Sequence, residues 1–234
     1  MASRRRVFLL SAALTAMGLL AAAQAYAPNI AMASAGSAAP RAAPSQPSPL
    51  HLGSRGPRVR ALQQRLIGLG YLPAGAADGV YGMRTWHAVV AFQGWQRLQR
   101  DGIVGARTSR SLASAGRPRP WLHLRRGLEL DLKRQVLLVV DSGRTVRAVH
   151  ISSAAPGYVT PRGRFQVYRR EQMSWSVPYR VWMPYALYFT GGYAIHGFGV
   201  VPSGPASHGC VRVPLSEAPF VYWRSPLETP VLVR

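Results

Sequence analysis

The sequence has 234 residues, of which 48% are hydrophobic and 16% charged, with a formal net charge of +21 and a single cysteine. That balance excludes wholesale disorder, and a lone thiol excludes an intrachain disulfide framework. The charge is almost all arginine, Lys133 being the one lysine, and the arginines are scattered (Arg55, Arg58, Arg60, Arg65, Arg84, Arg97) rather than set among aromatics. This points away from a nucleic-acid groove and toward an anionic envelope polymer or membrane surface.

Residues 1–27 read as an export signal. Arg4, Arg5 and Arg6 precede an apolar run from Val7 to Ala23, and Ala23-Gln24-Ala25 and Ala25-Tyr26-Ala27 offer small-x-small cleavage sites. The run falls slightly short of a bilayer span, so cleavage is expected over anchoring, with a membrane tether as the alternative. Arg5-Arg6 leaves both the general and the twin-arginine export routes open. Residues 28–49 are mostly Ala, Ser, Pro and Gly, with almost no charge and no periodicity, and read as a disordered linker. The remainder is long enough for two small domains, each with its own core.

Residues 50–116 carry a helical pattern. Pro57 suits a first turn, Val59, Leu62, Leu66 and Leu69 recur at helical spacing, and Gly70 ends the run. Thr85 is expected to cap a second helix whose Val89, Phe92 and Trp95 form a stripe. Asp78-Gly79-Val80-Tyr81-Gly82-Met83-Arg84-Thr85 is echoed by Asp101-Gly102-Ile103-Val104-Gly105-Ala106-Arg107-Thr108, which predicts two Gly-rich turns feeding Thr-capped helices. The result is a compact three-helix module.

A stiff basic linker, residues 117–123, precedes a change of period. Leu128 to Leu132 alternates, Gln135 to Val140 is an apolar run, Asp141-Ser142-Gly143-Arg144 is a turn, and Thr145 to Ile151 returns. Strands are also predicted over 163–168, 186–189, 193–195 and 231–233, with long loops between them and one short helix near 216–223. Residues 124–234 therefore form a mainly β domain, and the chain is of α+β, multidomain class.

The chemistry gathers in Ser207-His208-Gly209-Cys210-Val211-Arg212 and Ile195-His196-Gly197. Attack on an amide by sulfur needs a thiolate, a base and oxyanion donors. His196, on a separate segment, is the candidate base, with the Gly197 carbonyl placed to fix its tautomer. In an extended segment His208, two residues before Cys210, shares its face. Gly209 leaves room for a substrate carbonyl, and the N–H groups of Gly209 and Cys210 are candidate oxyanion donors. Arg212 suits a substrate carboxylate. The competing readings are an inert buried thiol, polar packing histidines, a surface arginine, and a metal site at Cys210, His208 and His196. Structural zinc normally has more thiolate or acidic ligands, and only Glu217 lies near, so no metal is expected.

Two resemblances sharpen this reading. Gly53, Gly56, Val59, Leu62-Gln63, Leu66, Leu69-Gly70-Tyr71, Asp78-Gly79, Tyr81-Gly82, Thr85, Phe92-Gln93, Asp101-Gly102, Val104-Gly105 and Thr108 resemble the small peptidoglycan-binding domain of cell-wall enzymes. Residues 124–234 resemble the L,D-transpeptidase catalytic domain of YkuD type, through Ser207-His208-Gly209-Cys210, Ile195-His196-Gly197, Thr160-Pro161-Arg162-Gly163-Arg164-Phe165 and the opening hairpin over 135–153. The second resemblance implies that Cys210 is the nucleophile and His196 its proton acceptor and donor; the reading of the residues above adds His208, Gly197 and Gly209 to the catalytic set. Ser207, Arg212 and Tyr193 are then expected against substrate. It implies a stem tetrapeptide as donor, release of D-alanine, a cysteinyl thioester, and an amine acceptor; water as acceptor would make the enzyme an L,D-carboxypeptidase. Peptidoglycan stems and strands are the implied partners, no cofactor is required, and the expected location is the periplasm or the outer wall. A wall-binding protein with a vestigial catalytic domain is the reading from another class. The sequence departs from the pattern in its short His196–Ser207 interval, in Arg212 where many members have Asn, and in Glu228 where glycine is common.

Overall fold

The computed structural model describes residues 48–122 and 125–234. The expected export signal and all but the last two residues of the expected linker 28–49 lie outside them. Among the described residues, no helix is long and apolar enough to cross a membrane.

Helix α1 (Pro57–Leu69) begins with proline at its first turn and ends at Gly70, whose φ of 83° lets its N–H return to the helix. Helices α2 (Met83–Trp95) and α3 (Ala106–Ser114) follow. Their N-caps are Gly82 and Gly105, with no side-chain cap, so the expected threonine caps are corrected. Thr85 and Thr108 instead lie inside their helices, buried, because a glutamine claims their hydroxyls. Gln63 Nε2 donates to Asp78 Oδ1 (2.7 Å), the Val80 carbonyl (3.0 Å) and Thr85 Oγ1 (3.0 Å), while Gly79 N–H donates to Gln63 Oε1 (2.8 Å). Gln93 repeats this on Asp101, Ile103, Thr108 and Gly102. The sequence echo is thus a repeated glutamine-centred network that saturates each Asp-Gly turn.

Among the described residues, nine strands form two sheets. β1 (Arg126–Asp131), β2 (Val136–Asp141), β3 (Arg144–His150), β4 (Gly163–Gln166) and β9 (Pro230–Val233) make a five-stranded sheet in the order β3-β2-β1-β9-β4. β5 (Arg169–Ser176), β6 (Val181–Thr190), β7 (Tyr193–Phe198) and β8 (Val211–Pro214) make a four-stranded sheet in chain order. Helix α4 (Ala218–Trp223) lies between β8 and β9.

The run from Val136 to Val140 explains how the pieces join. A strand buried on both faces reads as a continuous apolar run. Leu137 and Val139 face the core between the sheets, with Leu128, Leu130, Leu187, Ile195, Val211 and Val213. Val136, Leu138 and Val140 face the helical module and join the cluster of Val59, Leu66, Tyr81, Val89 and Phe92. The expectation of two domains with separate cores is therefore corrected: the module's core is completed by the outer face of β2 and by Ala148 of β3. Each fully buried Leu or Val adds roughly 1.5–3 kcal/mol to this contact. The segment after α3 is likewise tied down, Arg117 reaching the Gly68 and Thr145 carbonyls while the Trp121 and Leu122 N–H groups donate to the buried Glu129 carboxylate.

Candidate active site

β7 and β8 are parallel neighbours with Ile195 opposite Val211 and His196 opposite Arg212. Side-chain alternation sends Ile195, Val211 and Val213 into the inter-sheet core. The opposite face then receives His196 and Arg212, with Cys210 at the head of β8 packed against Met183, Ala186, Tyr188 and Ala194. Two short parallel strands thus bring together residues fourteen positions apart, and His196 and Cys210 line one pocket.

His196 is 3% exposed. Its Nδ1 lies 3.0 Å from the Gly197 carbonyl. A carbonyl only accepts, so Nδ1 carries the proton and Nε2 holds the lone pair. Burial lowers the imidazole pKa to about 4, with the Arg212 cation adding to the effect, so the ring is neutral at physiological pH. Gly197 has no room for a side chain: a β-carbon there would stand 2.9 Å from both Ala218 Cβ and Leu215 Cδ2. Helix α4 therefore presses directly on the backbone that orients the histidine.

Burial also pushes the Cys210 thiol above its ordinary value, opposed by a hydrogen bond from the Ala194 backbone and by the Arg212 guanidinium. The same cation thus disfavours imidazolium and favours thiolate. Arg212 is itself fixed, donating to the Ala206 carbonyl (3.0 Å) and lying over the Phe198 ring at 4.1 Å.

The turn before the cysteine is held from within. Ser207 Oγ donates to the Cys210 carbonyl and accepts from Gly209 N–H (3.0 Å). Ser207, expected against substrate, is buried and borders the pocket with its hydroxyl already engaged. Gly209 N–H, expected as an oxyanion donor, is the group that engages it. Gly209 takes φ +133°, and a β-carbon would lie 2.5 Å from Tyr193 Cε1 and 2.9 Å from the Val159 carbonyl. The space that the sequence reading gives to a substrate carbonyl is filled by the Tyr193 ring. Thr160 is a positioning residue whose role the motif alone does not reveal: its hydroxyl donates to the Gly209 carbonyl (2.8 Å) and accepts from Ala154 N–H (3.1 Å).

His208 is exposed and held between aromatics, stacked on Tyr179 at 4.4 Å and edge-on to Tyr158 at 4.6 Å. Tyr179 belongs to the β5–β6 turn, which overhangs the cysteine. A cavity of 420 Å³ opens on the Tyr193 side, bordered by Trp175, Tyr179, Tyr188, Gly192 and His208. A smaller pocket lies on the His196 and Arg212 side, and both reach Cys210. Sequence reasoning places no role on Tyr158, Tyr179 or Trp175, because the two tyrosines lie in loops and Trp175 in a polar edge strand, neither of which carries a spacing signal. Among the described residues, no cluster of three or more His, Cys, Asp or Glu is arranged to hold a metal ion.

Comparison with known proteins places both halves of the chain in known families. Residues 125–233 match the YkuD family, L,D-transpeptidase catalytic domain, and residues 55–112 match a peptidoglycan binding domain family. An L,D-transpeptidase from Xylanimonas cellulosilytica DSM 15894 is 41% identical, with a TM-score of 0.76 over 82% of this chain and 100% of that one. An L,D-transpeptidase (Yku) from Stackebrandtia nassauensis is 25% identical, with a TM-score of 0.50 over 79% of this chain and 94% of that one. N-acetylmuramoyl-L-alanine amidase CwlL from Bacillus licheniformis is 44% identical over 68 residues, 29% of this chain. The chain spans only 22% and 19% of the lengths of the two curated amidases it matches.

Proposed function

The chain belongs to the L,D-transpeptidase family, carrying a YkuD catalytic domain behind a peptidoglycan binding domain, and we propose that it is an exported enzyme that cross-links peptidoglycan through a Cys210 thioester. The observation that carries this is His196, whose Nδ1–H is committed to Gly197 and whose free Nε2 shares a pocket with the thiol.

The resting pair is neutral, thiol beside imidazole. Attack on the donor amide therefore requires transfer of the Cys210 proton to His196 as the C–S bond forms. The imidazolium so produced is buried beside Arg212, which makes it a strong acid. It returns the proton to the departing D-alanine amine, leaving the thioester and a neutral ring. An incoming amine then loses its proton to the same Nε2 while displacing sulfur. In this reading Arg212, held by Ala206 and Phe198, pairs with a substrate carboxylate and offsets the developing thiolate charge. The 420 Å³ cavity at Cys210 has room for a peptide substrate, whereas the space beside His196 and Arg212 holds little more than a water molecule. The helical module would raise the local concentration of wall substrate.

The test is incubation of purified protein with disaccharide tetrapeptide, followed by mass spectrometry. Release of D-alanine and a cross-linked dimer are expected, and both are lost in Cys210→Ala. Dimer formation in Cys210→Ala, or no D-alanine release by the wild type, would refute the reading; a trimmed tripeptide alone would assign water as acceptor. Sequencing the N-terminus of protein recovered from outside the cytoplasm tests export and cleavage near Ala27.

A further inference from the structure

A cation-lined concavity lies away from Cys210. A cavity of 610 Å³ opens where the end of α2 meets the β1–β2 turn, and it is bordered by Arg97, Arg100, Lys133, Arg134, Arg162 and Arg234 against one carboxylate, Asp131. Asp131 is shared, 3.8 Å from Arg134 Nε and 3.9 Å from Arg234 Nε, so one acidic group faces several cations. Arg97, Lys133 and Arg162 have no ion-pair or hydrogen-bond partner for their side chains among the described residues. Like charges crowded into one concavity repel unless an anion enters.

The arrangement is built rather than incidental. Trp95 and Trp121 pack at 5.0 Å and form a floor under two of the guanidinium groups, Arg134 lying 4.4 Å over Trp95 and Arg234 4.3 Å over Trp121. Arg100 donates to the Arg134 carbonyl (3.2 Å), which ties α2 to the turn. Arg97 sits at φ +58°, a left-handed conformation that an arginine adopts at a cost, at the point where α2 turns into the cavity wall. Gly94, buried, forms part of the lining.

We propose that this cleft binds a soluble anion carrying two or more phosphate groups, such as a stretch of phosphodiester polymer. Guanidinium forks match phosphate oxygens in pairs, and a phosphate offers enough oxygens for several forks to share one group. The volume exceeds what one phosphate fills. A concave cleft with a buried glycine in its wall suits a narrow chain, whereas a flat lipid surface would meet only its rim. The tryptophans are covered by arginine, which leaves no open ring for a nucleobase to stack on. This site stands independently of the acyl-transfer reading.

Isothermal titration calorimetry of the full chain with inorganic tripolyphosphate and with poly(glycerol phosphate) tests it. Saturable binding of both is expected, weakening steeply between about 50 and 200 mM salt. Arg97→Glu/Lys133→Glu/Arg162→Glu should weaken it about a hundredfold, and the single Arg162→Gln about fivefold. Arg58→Glu/Arg110→Glu/Arg144→Glu, which changes net charge equally at exposed positions outside the cleft, should weaken it less than about threefold. Equal losses in the two triple variants, no effect of Arg162→Gln, or no binding of either probe would overturn the proposal. Binding only to phosphatidylglycerol vesicles, or tighter binding to a single-stranded oligonucleotide than to poly(glycerol phosphate), would overturn it in favour of a membrane or nucleic-acid surface.

Discussion

Acid should unfold this protein through its buried histidines, well above the pH at which carboxylates titrate. His87 and His150 stack at 5.4 Å where α2 packs on β3, with Trp86 edge-on to both. Burial lowers His87 to about 4 and His150 to about 3, with His87 and Arg100 adding to the effect on His150. His196 is lowered to about 4. A histidine depressed in the folded state takes up its proton first in the unfolded chain. Its stabilisation is complete above the unfolded value and is lost as pH falls toward the folded one. From about pH 7 to pH 5, an unfolded value of about 6.5 against a folded value near 4 costs about 2 kcal/mol per histidine. The three together remove about 5 kcal/mol, comparable to the whole stability of a modest domain. The figure barely depends on the folded values, because at pH 5 the folded rings remain mostly neutral. Glu217, raised by burial, works in the opposite direction and trims the total. Urea denaturation at the two pH values measures the gap directly. His87→Gln and His150→Gln should each narrow it by about 2 kcal/mol, whatever they do to stability at pH 7. A wild-type gap under about 1 kcal/mol, or an unchanged gap in both variants, would refute the assignment of these rings as neutral and buried.

Iodoacetamide labelling of Cys210 should accelerate with pH beyond the ordinary thiol range of about 8.5, without the low-pH plateau of a preformed thiolate–imidazolium pair; Arg212→Gln should move the profile further up. Gly94→Ala would put a β-carbon 2.3 Å from the Arg134 carbonyl, prising the helical module from the β1–β2 turn. A loss of about 1–3 kcal/mol and earlier proteolysis after α3 are expected. Glu228 holds φ +65° while its N–H donates to the Val167 carbonyl. Relief of left-handed strain less the added freedom of unfolded glycine gives Glu228→Gly a gain of about 0.5–1 kcal/mol, read as a raised denaturation midpoint.

The predicted α1 and the β1–β2–β3 hairpins correspond closely to the structure because their hydrophobic periods are long and bounded by Pro57, Gly70 and the Asp141–Arg144 turn. β5 was hidden because Arg169–Ser176 is polar at an edge position with little alternation. The strand predicted over 186–189 is only the second half of β6; the first half holds Pro184 and pairs only with β5, so a residue without N–H is tolerated on the open side. At the site, the Ser207–Arg212 and Ile195–Gly197 segments stood out through their chemistry. Their closeness depends on a parallel β7–β8 pairing that no local pattern encodes. Glu228 is the converse case: the glycine common at this position marked a left-handed backbone that the structure retains without it.

One strand connects most of these observations. β2 gives alternate residues to two clusters, so the core beneath the catalytic sheet and the core of the helical module are back to back through a single backbone. A flexible tether would give the module free reorientation, whereas a shared strand, reinforced by Arg117, Arg100 and the His87–His150 stack, fixes it relative to the sheets. The cationic cleft exists only because of that fixation, since its wall comes from α2 on one side and from the β1–β2 turn on the other. If the module holds wall polymer and Cys210 acylates a stem, the separation between the two grips is set by the packing of β2. Substitutions in that packing should then change activity on intact sacculi more than activity on isolated tetrapeptide, a difference that loss of the catalytic pair would not produce.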